Sequence, residues 1–223
     1  MEAYTAAEVR AAEEPLLAAG VPLMQRAAAA LAREIRLLLP ADRTGRVVIL
    51  AGPGNNGGDA LFAGAELAAA GTEVTVVPTS DRLHEAGSVA ATNAGARMLS
   101  AESPTDAVAS VAHDADVLVD GILGTGTSAS PALRGRARDL VAAVLPVLAG
   151  EHPPVVVAVD LPSGVHPDDG SVPDPTVLPA DVTVTFGACK TGLLVAPAVD
   201  YAGRIVVIDI GLGPELERLR AER

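Results

Sequence analysis

Three short stretches place carboxylates and amides where an apolar run gives way to glycine. They are GPGNNGGD at 52–59, VDGILGTGTS from Val119 and VDLPSG from Val159. Glycine lets a backbone approach a ligand closely, and a helix that starts beyond such a turn offers free N–H groups to an anion. Asn55 and Asn56 add amide donors and carbonyl oxygens, and Asp59 is expected in the first helical turn, where the dipole favours a carboxylate or a ligand contact. Gly52 to Gly57 satisfies G-x-G-x-x-G, a weak signal alone. The acid that dinucleotide sites carry after their second strand is missing, because Val74–Val77 runs into Pro78-Thr79-Ser80. Gly58 stands where a Walker loop has its lysine.

Asp120 and Asp160 are expected on the same rim as this turn. Like charges about 4–6 Å apart repel by roughly 1 kcal/mol or more. A bound cation would relieve that repulsion. The donors at hand are carboxylate, amide oxygen, backbone carbonyl and the hydroxyls of Thr125 and Ser163, so the ion should be hard. His84, His113, His152 and His166 lack ligand spacing and Cys189 has no partner, which excludes a zinc centre from the reading. Asp209, followed only by GLG and a charged tail, reads as structural. Lys190 is the one lysine against fifteen arginines. It reads either as a solvated loop residue or as an ammonium offsetting Asp120, Asp160 or a ligand phosphate.

The elements that must position these groups alternate. Strand candidates are 47–50, 74–77, 117–119, 155–159, 182–186 and 205–208. Helix candidates lie at 5–19 and 22–39, then near 59–70, 85–99, 105–112 and 134–148. Thr5 with Glu8 forms a capping-box pattern. Near-continuous Val/Ile strands interleaved with helices imply a doubly wound, mostly parallel sheet buried on both faces. In such sheets ligands bind outside the carboxyl ends of the strands.

With 223 residues, 49% of them hydrophobic, the chain suits one domain over residues 1–223. A net charge of −12 argues against nucleic acid. The lone cysteine fits a reducing cytoplasm, the acidic start shows no signal peptide, and no apolar run approaches the ~18–20 residues of a membrane span.

Taken together, YTAAEVR…GVPLMQRAA, GPGNNGGD, VDGILGTG, VDLPSG and FGACKTGLL…DYAGRIVVIDIGL closely resemble the NAD(P)H-hydrate epimerases, the YjeF N-terminal domain family. That resemblance covers about Tyr4 to Gly213. It implies a three-layer α/β/α Rossmann-like fold with two extra N-terminal helices, usually a homodimer, that interconverts the R and S epimers of NADHX and NADPHX. A dehydratase partner, in some proteins fused to this domain, then repairs the S form. The resemblance also implies a potassium ion held by Asn56, Asp120 and Ser163. The substrate is implied to contact Asn55, Asn56, Gly57, Gly58, Asp59, Gly124, Thr125, Gly126, Thr127, Ser128 and Asp160. Inverting a carbon beside a ring nitrogen needs a positioned acid/base, for which Asp160 is the first candidate and Asp59 the second. Two other classes compete: a non-catalytic dimerisation module and an NAD(P)-dependent dehydrogenase.

Overall fold

The computed structural model describes residues 2–126 and 130–221. Its centre is set by strand residues that are apolar on both sides. In β2 (Arg46–Ala51), Val47, Ile49 and Ala51 enter one core while Val48 and Leu50 enter another. The same alternation runs through β5 (Val117–Gly121) and β6 (Val155–Val159). Burial on both faces requires a helical layer on each side. The first core is closed by α2 (Leu23–Arg36), α3 (Asn55–Ala69) and α4 (Glu85–Asn93). The second is closed by α5 (Thr105–His113) and α6 (Gly135–Val144).

Between the layers lies a seven-stranded, fully parallel sheet. It is completed by β3 (Glu73–Pro78), β4 (Arg97–Met98), β7 (Val182–Phe186) and β9 (Arg204–Ile208), in the order β4-β3-β2-β5-β6-β7-β9. The chain builds outward from β2 to β4, then returns to set β5 on the other flank of β2. The order therefore reverses between β2 and β5, and a crevice opens there.

A second, two-stranded parallel sheet joins β1 (Ala3–Tyr4) to β8 (Cys189–Lys190), with Tyr4 opposite Lys190. The next helix, α1 (Ala6–Ala18), starts with the expected capping box: Thr5 accepts from the Glu8 amide, and the Glu8 carboxylate accepts from the Thr5 amide at 2.8 Å. The Asp168 carboxylate accepts from the Ala6 amide at 2.6 Å, tying this start to the loop after β6. Helices α7 (Val199–Ala202) and α8 (Gly213–Ala221) complete the fold.

Strands 155–159 and 182–186 form where expected, and the others extend by a residue or two. Three expectations are corrected. The helix expected from 59 begins at Asn55, so NNGGD is its opening and Asp59 falls in the second turn rather than the first. The helix expected over 85–99 stops at Asn93, because Gly95 (φ 96°) reverses the chain and Arg97–Met98 pairs with β3. The helix expected over 134–148 ends at Val144 and tightens into a 3-10 turn at Leu145–Ala149, where Pro146 lacks an amide to continue the α ladder.

Candidate active site

The turn after β2 and the turn after β5 wall the crevice together. A cavity of about 340 Å³ lies between them, lined by Pro53–Asn56, Ile122–Gly126 and, from α1, Arg10 and Glu13. The Arg10 guanidinium donates to the Thr125 carbonyl at 3.1 Å, bridging α1 to the glycine-rich loop. A second hollow of about 130 Å³ continues past Glu13 and Asn55 to Asp59, Met24 and Phe186. Expected contacts Asn55, Asn56, Asp59, Gly124, Thr125 and Gly126 thus line one cleft. Gly57 and Gly58 line neither part of it. A Cβ on Gly57 would come 2.0 Å from the Gly52 carbonyl oxygen, and one on Gly58 would press on the His84 ring at 3.0 Å. Both glycines are closely packed in this fold. Thr127 and Ser128 lie outside the described residues.

Asn56, Asp120 and Ser163 converge through Leu123. The Asn56 amide donates to the Leu123 carbonyl at 2.9 Å and the Val159 carbonyl at 2.5 Å. Ser163 Oγ accepts from the Leu123 amide at 2.8 Å and donates to Asp120 Oδ1 at 2.6 Å. Asp120 Oδ2 accepts from the Ser163 amide at 2.8 Å. Asp120 is 1% exposed, and burial pushes its carboxyl up although Ser163 and Ile122 hydrogen bonds pull the other way. Asn56 Oδ1 receives no hydrogen bond among the described residues, and no fully buried side-chain oxygen there lacks one, so this oxygen opens to the cleft. Gly124 makes room for it: a Cβ there would lie 2.3 Å away.

Asp160 follows directly on β6 with φ 66°, the single non-glycine residue of positive φ among the described residues. Left-handed backbone is tolerated by aspartate at a cost, and such outliers gather at functional sites. Its Oδ1 accepts from Thr185 Oγ1 at 2.9 Å, from the Phe186 amide at 3.3 Å and from Lys190 Nζ. Lys190 is 1% exposed, so the reading of a solvated loop residue is overturned. It also changes the charge balance. Asp160 carries its own ammonium, and mutual repulsion of Asp120 and Asp160 does not by itself demand a cation.

Two further carboxyls face this ion pair. Asp59 is 8% exposed and is pushed well above the carboxylate range, first by burial, then by the charges of Asp160 and Glu13, with Lys190 opposing. Burial also raises Glu13, with Lys190 pulling down, Asp160 pushing up and Arg10 pulling down. Three carboxyls thus gather around one ammonium, and two of them are pushed up by burial, as at many functional sites. Glu13 and Arg10 were not singled out in the sequence. The usable signal was their spacing of three on α1, which puts both on one face. His84 caps α4, His166 accepts from the amides of its own turn, and His113 and His152 are exposed; Asp209 caps the Gly211 amide at 2.7 Å. No cluster of three His, Cys, Asp or Glu suited to a metal occurs among the described residues.

Sheet and crevice together define a doubly wound parallel α/β protein with a carboxyl-rich, glycine-walled cleft at its switch point. The model of the YjeF-related protein N-terminus family matches residues 20–192, and the chain belongs to that family. Among curated relatives, a protein of Clavibacter michiganensis subsp. michiganensis named NAD(P)H-hydrate epimerase is 56% identical, over 95% of this chain and 91% of its own. One of the same name from Microbacterium testaceum is 52% identical over 97% of this chain and 81% of its own. A Mycobacterium tuberculosis protein named bifunctional NAD(P)H-hydrate repair enzyme Nnr is 41% identical over 94% of this chain, which spans 41% of it. The crystal structure of yeast ynu0, YNL200c, superposes with a TM-score of 0.72 at 21% identity, covering 86% of this chain and 83% of that one, and supports the fold.

Proposed function

We infer that the chain is an NAD(P)H-hydrate epimerase, an isomerase that interconverts the R and S forms of the hydrated reduced nicotinamide cofactors. The observation that carries this reading is the 56% identity, over nearly the full length of both chains, to a protein of that name. The cleft supplies a chemistry to match. The hydroxyl-bearing carbon beside the ring nitrogen inverts if the C–O bond breaks, the nitrogen lone pair stabilises the cation, and water adds to the opposite face. Asp59, whose carboxyl burial pushes up, gives the proton that lets the hydroxyl leave as water. Asp160 takes the proton from the incoming water, and return of that proton to Asp59 resets the site. Asn55, Asn56 and Gly124–Gly126 bind and orient the substrate, with Arg10 at the mouth beside its anionic part.

A potassium ion fits beside Asn56, Asp120 and Ser163. The donor set is all oxygen, Asn56 Oδ1 is open, and Asp120 is a buried carboxylate with no cationic side chain among its hydrogen-bond partners. The ion would supply fixed positive charge to the cleft wall. Among the described residues no single helix is long and apolar enough to cross a membrane. The reading extends to a single Rossmann-like domain over residues 1–223, a homodimer in the cytoplasm and a dehydratase that consumes the S epimer. The test is to mix the purified protein with R-NADPHX and follow the S epimer by chromatography, with absorbance monitored for cofactor oxidation. Equilibration faster than the spontaneous rate supports the reading; no acceleration, or net oxidation, rejects it.

A further inference from the structure

The Lys190 ammonium has three N–H donors, and all three are used. Besides Asp160 Oδ1 they reach the Phe186 carbonyl at 2.9 Å and Thr185 Oγ1 at 3.1 Å. No donor remains for a ligand, and at 1% exposure the group has no path to one. Thr185 relays the contact, accepting from Lys190 while donating to Asp160. Every donor on Asp160 therefore converges on Oδ1. Oδ2 receives none among the described residues, where no fully buried side-chain oxygen is left unbonded, so Oδ2 is the oxygen that keeps some exposure on a side chain 9% exposed. Asp59 on α3 and Glu13 on α1 both feel the charge of this carboxyl and of Lys190.

We propose that Lys190 is a positioning residue of the epimerase reaction: with Thr185 and the Phe186 amide it immobilises one oxygen of Asp160 and so presents the other to the substrate. The ammonium acts through Asp160 and never touches the reacting atoms. Its place is fixed from behind by β1, where Tyr4 pairs with Lys190 in register. An arginine would bring a planar fork of five donors into a space shaped for three.

This proposal rests on the epimerase reading, and its test separates the two. Wild-type protein must first epimerise R-NADPHX; absence of that activity defeats the reading itself. Lys190→Met, Lys190→Arg and the double variant Asp160→Asn/Lys190→Met are then compared by melting temperature, kcat and substrate dissociation constant. Displacement of a catalytic group by about 1 Å costs on the order of 100-fold in rate. Lys190→Arg is therefore expected to lose about that factor in kcat while the dissociation constant changes less than about threefold. Lys190→Met leaves Asp160 a buried, unpaired charge and should lower the melting temperature. The double variant should recover most of that temperature but none of the turnover. Near-wild-type kcat in folded Lys190→Arg overturns the proposal. Should Lys190→Met not fold, the double variant decides, and recovered turnover there shows the pair to be structural only.

Discussion

Adjacent strands of one sheet end in aspartates that meet burial differently. Asp120, at the end of β5, is surrounded by dipoles: the Ser163 amide and hydroxyl and, at 3.3 Å, the Ile122 amide. Asp160, just beyond β6, holds a buried ammonium and a left-handed backbone. Dipoles alone leave the Asp120 carboxyl raised by burial. On the proposed reading the Asp120 corner, which has no cationic side chain among its hydrogen-bond partners, takes the added cation, whereas the Asp160 corner is already paired and keeps one oxygen for chemistry.

The sharpest way to break this contrast is Asp160→Asn. Loss of a general acid/base costs about 100- to 10,000-fold in kcat. The same change strands Lys190, and removing one partner of a buried ion pair costs roughly 3–5 kcal/mol. Activity and melting temperature should thus fall together, and Asp160→Asn with Lys190→Met should restore only the second. If the single variant keeps both, Asp160 plays neither part.

Asp59→Asn should lower kcat by about 100-fold while raising stability. The sign follows from its upward shift. A carboxyl raised in the fold contributes stability below its unfolded pKa of about 3.9 and loses it as pH rises through the folded value. Wild-type melting temperature should therefore decline from pH 4 toward neutrality, and Asp59→Asn should flatten that decline. At pH 7.5 the variant should melt higher by on the order of 2–4 °C, the shift per kcal/mol at this size. Identical pH profiles for the two proteins would refute the buried-carboxyl account. Because Asp160 is the charge that raises Asp59 most, the same flattening should appear, more weakly, in Asp160→Asn.

At the other corner, Asp120→Asn should reduce affinity and activity by about 10- to 100-fold, the usual range for perturbing an ion's surroundings. Replacing potassium with a bulky organic cation should lower wild-type activity and leave this variant unchanged. An equal response of both proteins would move the cation elsewhere. Arg10→Ala is the mildest change. It removes one exposed bond to Thr125 and should raise KM by about two- to fivefold, in keeping with less than about 1 kcal/mol for an exposed contact. Unaltered KM with lowered kcat would place Arg10 in the chemistry instead.

Much of this arrangement was legible in the sequence because it rests on patterns with a single physical solution. A run such as VVVAV between helical segments can only be a strand covered on both sides, and β6 forms as expected. The rim position of Asp120 and Asp160 followed from strand direction. The lone lysine drew attention by type. The remainder depended on three-dimensional partners. Glu13 sits on a helix beside Glu14, and nothing local separates the one that acts on Asp59 from the one facing water. The two-residue strand at Arg97–Met98 has too few residues to show a period of two. The positive φ of Asp160 leaves no trace in composition, since aspartate closes many strands in ordinary backbone.

Pairing of β1 with β8 has a consequence for how the molecule is made. Residues 3 and 4 are synthesised long before their partners 189 and 190. A contact that spans most of the chain carries a large loop-closure cost and forms late. Helices and central strands can assemble during synthesis, but the arm paired with Lys190 must wait until residues 189 and 190 have emerged. A nascent chain halted before residue 190 should therefore hold a folded sheet and no working cleft, with its amino-terminal arm still open to protease.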